Sequence, residues 1–215
     1  MSRKRIVGIM LLCINCIILF PIAAAWAITP EEFYAKASEI AGINAFAATC
    51  QSAHETGFWT SNLWKTANNG AGIKADKIWR RQGKPSVERR TKEEVKGKMV
   101  QRVSHFRSYN SVNDFLTDYK AKVAQNYPIS VKHADTMWGY FSGLQRGRYG
   151  SWATTRRYFE FMADKAVRLA PRLLGVEWRA ELLRDYNEAR GRGLLSGEEI
   201  AIVEKKLLKV GISPR

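Results

Sequence analysis

The sequence predicts a mainly α-helical protein, α+β in strict class, with a small β insert and a helical C-terminal extension. Capping signals followed by apolar residues at helical spacing recur on both sides of a central tract. That tract, residues 68–106, is instead punctuated by Asn69-Gly70, Gly72, Gly83, Pro85 and Gly97, as turns and short strands require. Beyond Pro171 two more amphipathic segments follow.

The chain opens on Met1-Ser2-Arg3-Lys4-Arg5, runs over 6–20 without a charge and closes on Ala25-Trp26-Ala27. This charged, apolar, small-x-small order is that of an export signal, so 1–27 is read as a signal peptide. An uncleaved anchor is the alternative, because 6–28 is close to the ~20 residues that span a bilayer. Thr29-Pro30-Glu31-Glu32 then combines a capping Thr, a first-turn Pro and a Glu three after the cap, which starts a helix expected to end near Gly42. A second helix is expected from about Asn44, with Phe46, Cys50, Ala53 and Gly57 as its buried face. Gln51 and Glu55 fall off that face, one turn apart, near its C-terminal end.

After the β insert, Ser111 opens another helix with Asp114 as a weaker capping partner and Phe115 and Tyr119 one turn apart. Residues 134–174 are helical in texture with a break at 147–151. The extension contributes 177–190 and 196–210, the latter with a Ser196 and Glu199 capping box and Gly211 as its stop. The organisation is therefore a signal peptide at 1–27, a main domain at 28–171 and an extension at 172–215, read as a helical appendage packed on the main domain, with a docking element as the alternative.

The formal charge is +15, and removing Arg3, Lys4 and Arg5 with the signal leaves +12. Such basicity calls for a polyanionic partner. An exported protein meets the anionic cell wall and phospholipid head groups before DNA, so a periplasmic or wall location with an anionic surface partner is expected, and nucleic acid is not. Cleavage would leave Cys50 as the sole cysteine, so the fold must rest on apolar burial and not on an internal disulfide. His54, His105 and His133 are scattered without metal-ligand spacing, and no phosphate loop, dinucleotide fingerprint or nucleophile elbow occurs. Neither metal nor cofactor is expected.

Cutting a glycosidic bond takes a protonated carboxyl beside the leaving oxygen and usually a second group across the sugar. Glu55 fits the first role: it ends an otherwise apolar helix, precedes Thr56-Gly57-Phe58-Trp59 and would abut the β insert. An aromatic, low-dielectric setting there would raise its pKa towards working pH. Taken alone, a Glu near a helix end is usually just solvated.

A series of blocks carries more. Gln51-Ser52-Ala53-His54-Glu55-Thr56-Gly57-Phe58-Trp59 is followed by Asn69-Gly70-Ala71-Gly72-Ile73-Lys74-Ala75, then Thr91-Lys92-Glu93-Glu94-Val95-Lys96-Gly97, then Phe106-Arg107-Ser108-Tyr109 with Phe115 and Asp118-Tyr119. Gly143-Leu144-Gln145 and Trp152-Ala153-Thr154 through Tyr158 close the series. In this order they resemble the glucosaminidase family of peptidoglycan hydrolases, glycoside hydrolase family 73, which includes the flagellar muralytic enzymes. The match covers about 28–171.

The resemblance implies a lysozyme-like helical lobe and a β-hairpin lobe clasping a peptidoglycan strand and cutting it after N-acetylglucosamine. Glu55 would be the general acid. Glu93 would activate water or stabilise the oxocarbenium ion, unless the sugar's own acetamido group attacks, and Glu94 or Glu88 would take that role under a register slip. Gln51, Trp59, Tyr149, Trp152 and Tyr158 are the expected substrate-binding residues. The sequence departs from the family at Trp152, which stands where the family has a site tyrosine; Tyr149 could supply the hydroxyl, or the indole could stack on a sugar. The rival readings are a lytic transglycosylase or muramidase on the same fold, and a catalytically idle, basic wall-binding protein.

Overall fold

The computed structural model describes residues 28–95 and 98–214. Helix α1, Pro30–Ser38, begins in a complete capping box: Thr29 Oγ1 accepts from Glu32 N at 3.1 Å and the Glu32 carboxylate accepts from Thr29 N at 2.8 Å. It ends a turn before Gly42, whose φ of 84° makes the expected stop. Helix α2, Ala45–Glu55, is capped by Asn44, which accepts from Ala47 N at 2.9 Å. Two short helices that no periodicity announced, α3 (Asn62–Ala67) and α4 (Lys77–Arg81), lead into the hairpin.

The β insert is longer and simpler than expected. Strands β1, Ser86–Val95, and β2, Lys98–Arg107, form one antiparallel pair in the register Ser86 with Arg107 through Val95 with Lys98. Helix α5, Val112–Asn126, starts at Ser111, whose hydroxyl accepts from Asp114 N at 3.1 Å, and α6 (Pro128–Lys132) and α7 (Met137–Leu144) follow. The predicted break after α7 runs on to Tyr158, where α8, Tyr158–Leu173, begins. Helix α8 carries Pro171 in its last turn, so the expected boundary at 171 falls inside a helix. Helices α9, Trp178–Gly191, and α10, Gly197–Lys209, complete the chain, α10 with the full Ser196 and Glu199 capping box.

Helix α2 is the axle of the fold. Its residues 46–53 are all buried, because Ala, Ser, Thr and Cys leave room for neighbours on every side. A one-sided face was expected; Gly57 instead lies outside the helix and is exposed, and Gln51 is fully buried. One apolar cluster joins α1, α2, α5, α7 and α8 to Leu182, Tyr186, Val203 and Leu207 of the extension. The extension also holds α7 by its end. Helix α7 has no cap of its own, and Asp185 on α9 accepts from Met137 N at 2.8 Å and Trp138 N at 3.2 Å. No described helix is long and apolar enough to cross a membrane. The expected signal segment lies outside the described residues, as do Lys96 and Gly97 between the strands.

Candidate active site

Glu55 owes its position to an abrupt stop. Gly57, Phe58 and Trp59 take φ of 59°, 58° and 60°, three left-handed residues in a row, two of which carry a Cβ that disfavours that conformation. The turn is held from all sides: Phe58 N donates to Ala53 O at 2.8 Å, Trp59 N to Thr56 Oγ1 at 2.8 Å, and Trp59 Nε1 to Ser52 Oγ at 2.9 Å. Trp59, expected at the sugar, is a correction. It is 1% exposed and packs on Phe33 with ring centroids 5.1 Å apart, serving the turn from inside.

The Glu55 side chain reaches solvent but is walled by protein. Tyr158, the first residue of α8, donates its hydroxyl to Glu55 Oε1 at 2.9 Å, and Trp152 stands near the same carboxyl. The surrounding protein pushes the carboxyl pKa up, while Tyr158 and Trp152 pull it down; the upward effect is the larger. Behind Tyr158 the contacts continue inward. Gln51 Nε2 donates to Tyr158 Oη at 2.9 Å, Tyr119 Oη donates to Gln51 Oε1 at 2.5 Å, and Tyr119 lies 3.0 Å from Tyr140 Oη. Gln51 and Tyr158, expected to touch substrate, are 0% and 1% exposed and touch Glu55's surroundings instead.

Trp152 is half-buried, its ring 5.2 Å from Tyr127 and 6.0 Å from Tyr119. Together with Tyr127 and Lys122 it forms one wall of an open cavity of about 320 Å³; Ala71 to Lys74 form the other. That second wall is built by Asn69, for which the sequence alone suggests no role. Its amide donates to Ile73 O and Arg107 O, both at 2.9 Å, and its oxygen accepts from Ile73 N at 2.9 Å. Gly70 beside it has no room for a Cβ, which would lie 2.6 Å from Ser52 Oγ and 2.8 Å from the Phe115 ring. Tyr149 is 88% exposed on the turn between Gly147 and Gly150.

The hairpin is bolted to the helices at its base. Arg107 donates to both oxygens of Asp118, at 2.7 and 2.9 Å, and to Asp76 at 2.7 Å, stacks over Trp79 at 4.3 Å, and shares Asp118 with the Tyr109 hydroxyl. Glu93 is on β1 opposite Val100; its side chain lies outside the described residues, as does that of Glu94. Glu88, the third candidate, pairs across the strands with His105 at 3.6 Å. Among the described residues no group of three His, Cys, Asp or Glu side chains could hold a metal ion.

Residues 31–170 match the glucosaminidase family, described as mannosyl-glycoprotein endo-beta-N-acetylglucosaminidase. The chain is similar in structure to a peptidoglycan hydrolase mutant from Sphingomonas sp. A1, with 28% identity, 73% of this chain and 96% of that chain covered, and a TM-score of 0.50. It also shares the fold of the catalytic domain of the autolysin Auto from Listeria monocytogenes, at 22% identity, 65% and 81% coverage and a TM-score of 0.54. No curated protein matches the chain.

Proposed function

Because the chain belongs to the glucosaminidase family of glycoside hydrolases, we propose that it is an endo-β-N-acetylglucosaminidase that cuts peptidoglycan glycan strands, with Glu55 as its general acid. One observation carries the assignment of the acid. Glu55 ends α2 with one oxygen engaged by Tyr158 and its acidity weakened by the protein around it, and its neighbour Trp152 lines an open cavity together with Tyr127. A carboxyl so placed keeps its proton at higher pH than a solvated one and can deliver it to a glycosidic oxygen.

In this mechanism Glu55 protonates the oxygen leaving C1 of N-acetylglucosamine, and the C1–O bond breaks as oxocarbenium character develops. Water, or the sugar's acetamido oxygen followed by water, then takes C1. Glu93 is the proposed partner that activates this water or stabilises the cation, on the strength of its place on β1 in the matched hairpin block. Trp152, next to the acid, is proposed to present its ring face to the sugar. Export across the membrane is proposed from the charged, apolar and small-residue order of 1–27, and an anionic wall surface as a further partner from the net charge of +15.

Glu55→Gln removes the transferable proton and keeps the shape, so clearance of purified sacculi should fall by ~10²–10⁴-fold. A variant that clears walls at close to the parental rate would disprove the role. Mass spectrometry of borohydride-reduced digests reads the bond that was cut: N-acetylglucosaminitol ends are expected. Reduced muramic acid would make the enzyme a muramidase, anhydro-muramic ends would make it a lytic transglycosylase, and intact sacculi would leave a wall-binding protein.

A further inference from the structure

The contacts behind Glu55 form a single-file chain with a direction. Tyr119 spends its one hydroxyl proton on Gln51 Oε1, which turns the Gln51 amide so that Nε2 faces Tyr158. Tyr158 therefore receives a hydrogen bond from Gln51 and has its own proton free only for Glu55 Oε1. At the inner end, Tyr119 oxygen is left to accept from Tyr140, 3.0 Å away. Gln51, Tyr119 and Tyr140 are fully buried, so no water can substitute for a missing partner.

Reversing the chain is geometrically simple and energetically poor. Glu55 would donate to Tyr158, Tyr158 to a flipped Gln51, Gln51 to Tyr119 and Tyr119 to Tyr140. Tyr140 would then hold a hydroxyl proton with no acceptor, since among the described residues its hydroxyl meets only Tyr119. A buried donor left unpaired bears its full desolvation cost, whereas the existing direction leaves only a spare acceptor lone pair.

We propose that Tyr119 and Gln51 are positioning residues, acting through Tyr158, whose fixed hydrogen-bond direction keeps Glu55 Oε1 an acceptor and confines the transferable proton to Oε2. This rests on Glu55 being the general acid. The direction matters because a proton on Oε1 would face Tyr158 and be lost to the leaving oxygen. The titratable groups that act on the acid are Tyr119 on α5 and Tyr158 on α8; behind them Tyr127, at the end of α5, acts on Tyr158, and Lys165 on α8 acts on His54 of α2. Of these, Tyr158 alone donates a hydrogen bond to the carboxyl.

Tyr119→Phe tests the direction, since it frees the Gln51 amide to flip without touching Glu55. With Tyr158→Phe and the double variant it forms a cycle read in two ways: the pH dependence of kcat/KM on solubilised glycan strands, and the titration of the Glu55 carboxyl by ¹³C NMR, which needs no turnover. Tyr119→Phe should raise both the Glu55 titration and the alkaline limb by about 0.5 to 1 pH unit, with kcat lowered and KM kept. Tyr158→Phe should shift them further, and the double variant no further than Tyr158→Phe alone, because Tyr119 acts only through Tyr158. An unmoved titration in Tyr119→Phe, or shifts that add, would overturn the proposal. Neutron diffraction of the perdeuterated parent checks it without any variant: the Tyr158 deuteron should point at Glu55 Oε1, and a deuteron pointing at Gln51 would overturn it. If the titrations behave as stated while Glu55→Gln stays active, the chain's direction stands and the functional reading fails.

Discussion

Glu55 is held where its protonated form is favoured, and that has a consequence for stability as well as for rate. Its folded pKa is raised by the surrounding protein, so the stability it contributes is complete below its ordinary value of 4.5 and is lost as pH climbs through the folded value. Glu55→Gln should therefore unfold at higher denaturant than the parent at pH 7, with the two midpoints converging below pH 4.5, a comparison that urea titrations at the two pH values would make. With Glu55 in its proposed role the rate should follow the same group in the parent, its alkaline limb lying higher than a solvated glutamate would give, because a general acid must still hold its proton. The place of Glu55 at the end of α2 was legible in the sequence; the burial of its neighbours Gln51, Trp59 and Tyr158 was not. Helical spacing says which residues share a face, and it put Gln51 off the apolar one. It does not register that Ala47, Ala48, Ser52 and Ala53 are small enough for the fold to close over a polar side chain. Trp59 adjoins Glu55 in sequence, yet the left-handed run between them turns its ring inward.

At the level of elements, the hairpin's standing against the helices depends on one guanidinium. Arg107 has a 10% exposed side chain bridging Asp118 of α5 and Asp76 at the cap of α4. Removing it strands two carboxylates, Asp76 and Asp118, leaving Asp118 with the Tyr109 hydroxyl, and hydrogen bonds to charged groups contribute ~1.5–3 kcal/mol each where they are well buried. Discounting for the exposure of Asp76, Arg107→Met should cost about 2 kcal/mol of unfolding free energy. Activity on sacculi should fall while far-ultraviolet circular dichroism keeps its helical form. The Phe-Arg-x-Tyr block was legible as a family signature, but its mechanical duty was not, since its partners lie 31 and 11 residues away along the chain. Helices α3 and α4 went unseen because six and five residues are too few for a period to register. The strands were expected to be short because glycines and prolines crowd the tract; most of those residues precede β1, leaving ten residues for each strand.

Across the whole molecule, the C-terminal helices are part of the core and not a separable appendage. Besides the apolar cluster and the Asp185 cap, buried Glu199 receives Arg146 at 2.9 Å and Ser142 at 3.0 Å. Lys206 on α10, with a 5% exposed side chain, meets Glu160 at 3.2 Å and Asp164 at 2.6 Å on α8. Asp185→Ala, which removes the cap of α7, should cost ~1–2 kcal/mol by denaturant titration. Truncation after Leu173 should give a chain that binds hydrophobic dye and lacks a cooperative melt, as loss of that buried surface requires. Amphipathic spacing foretold the two helices and their packing. The boundary at Pro171 failed because proline in a final helical turn forfeits a single hydrogen bond at an exposed position, which the helix tolerates. The cap on α7 also sets an order of events. A chain that emerges amino-terminus first presents Glu55 before α9 and α10 follow to close the core. The contacts that settle α7 and α8 are thus among the later ones to form, so the early helices wait on residues more than a hundred positions downstream of α2.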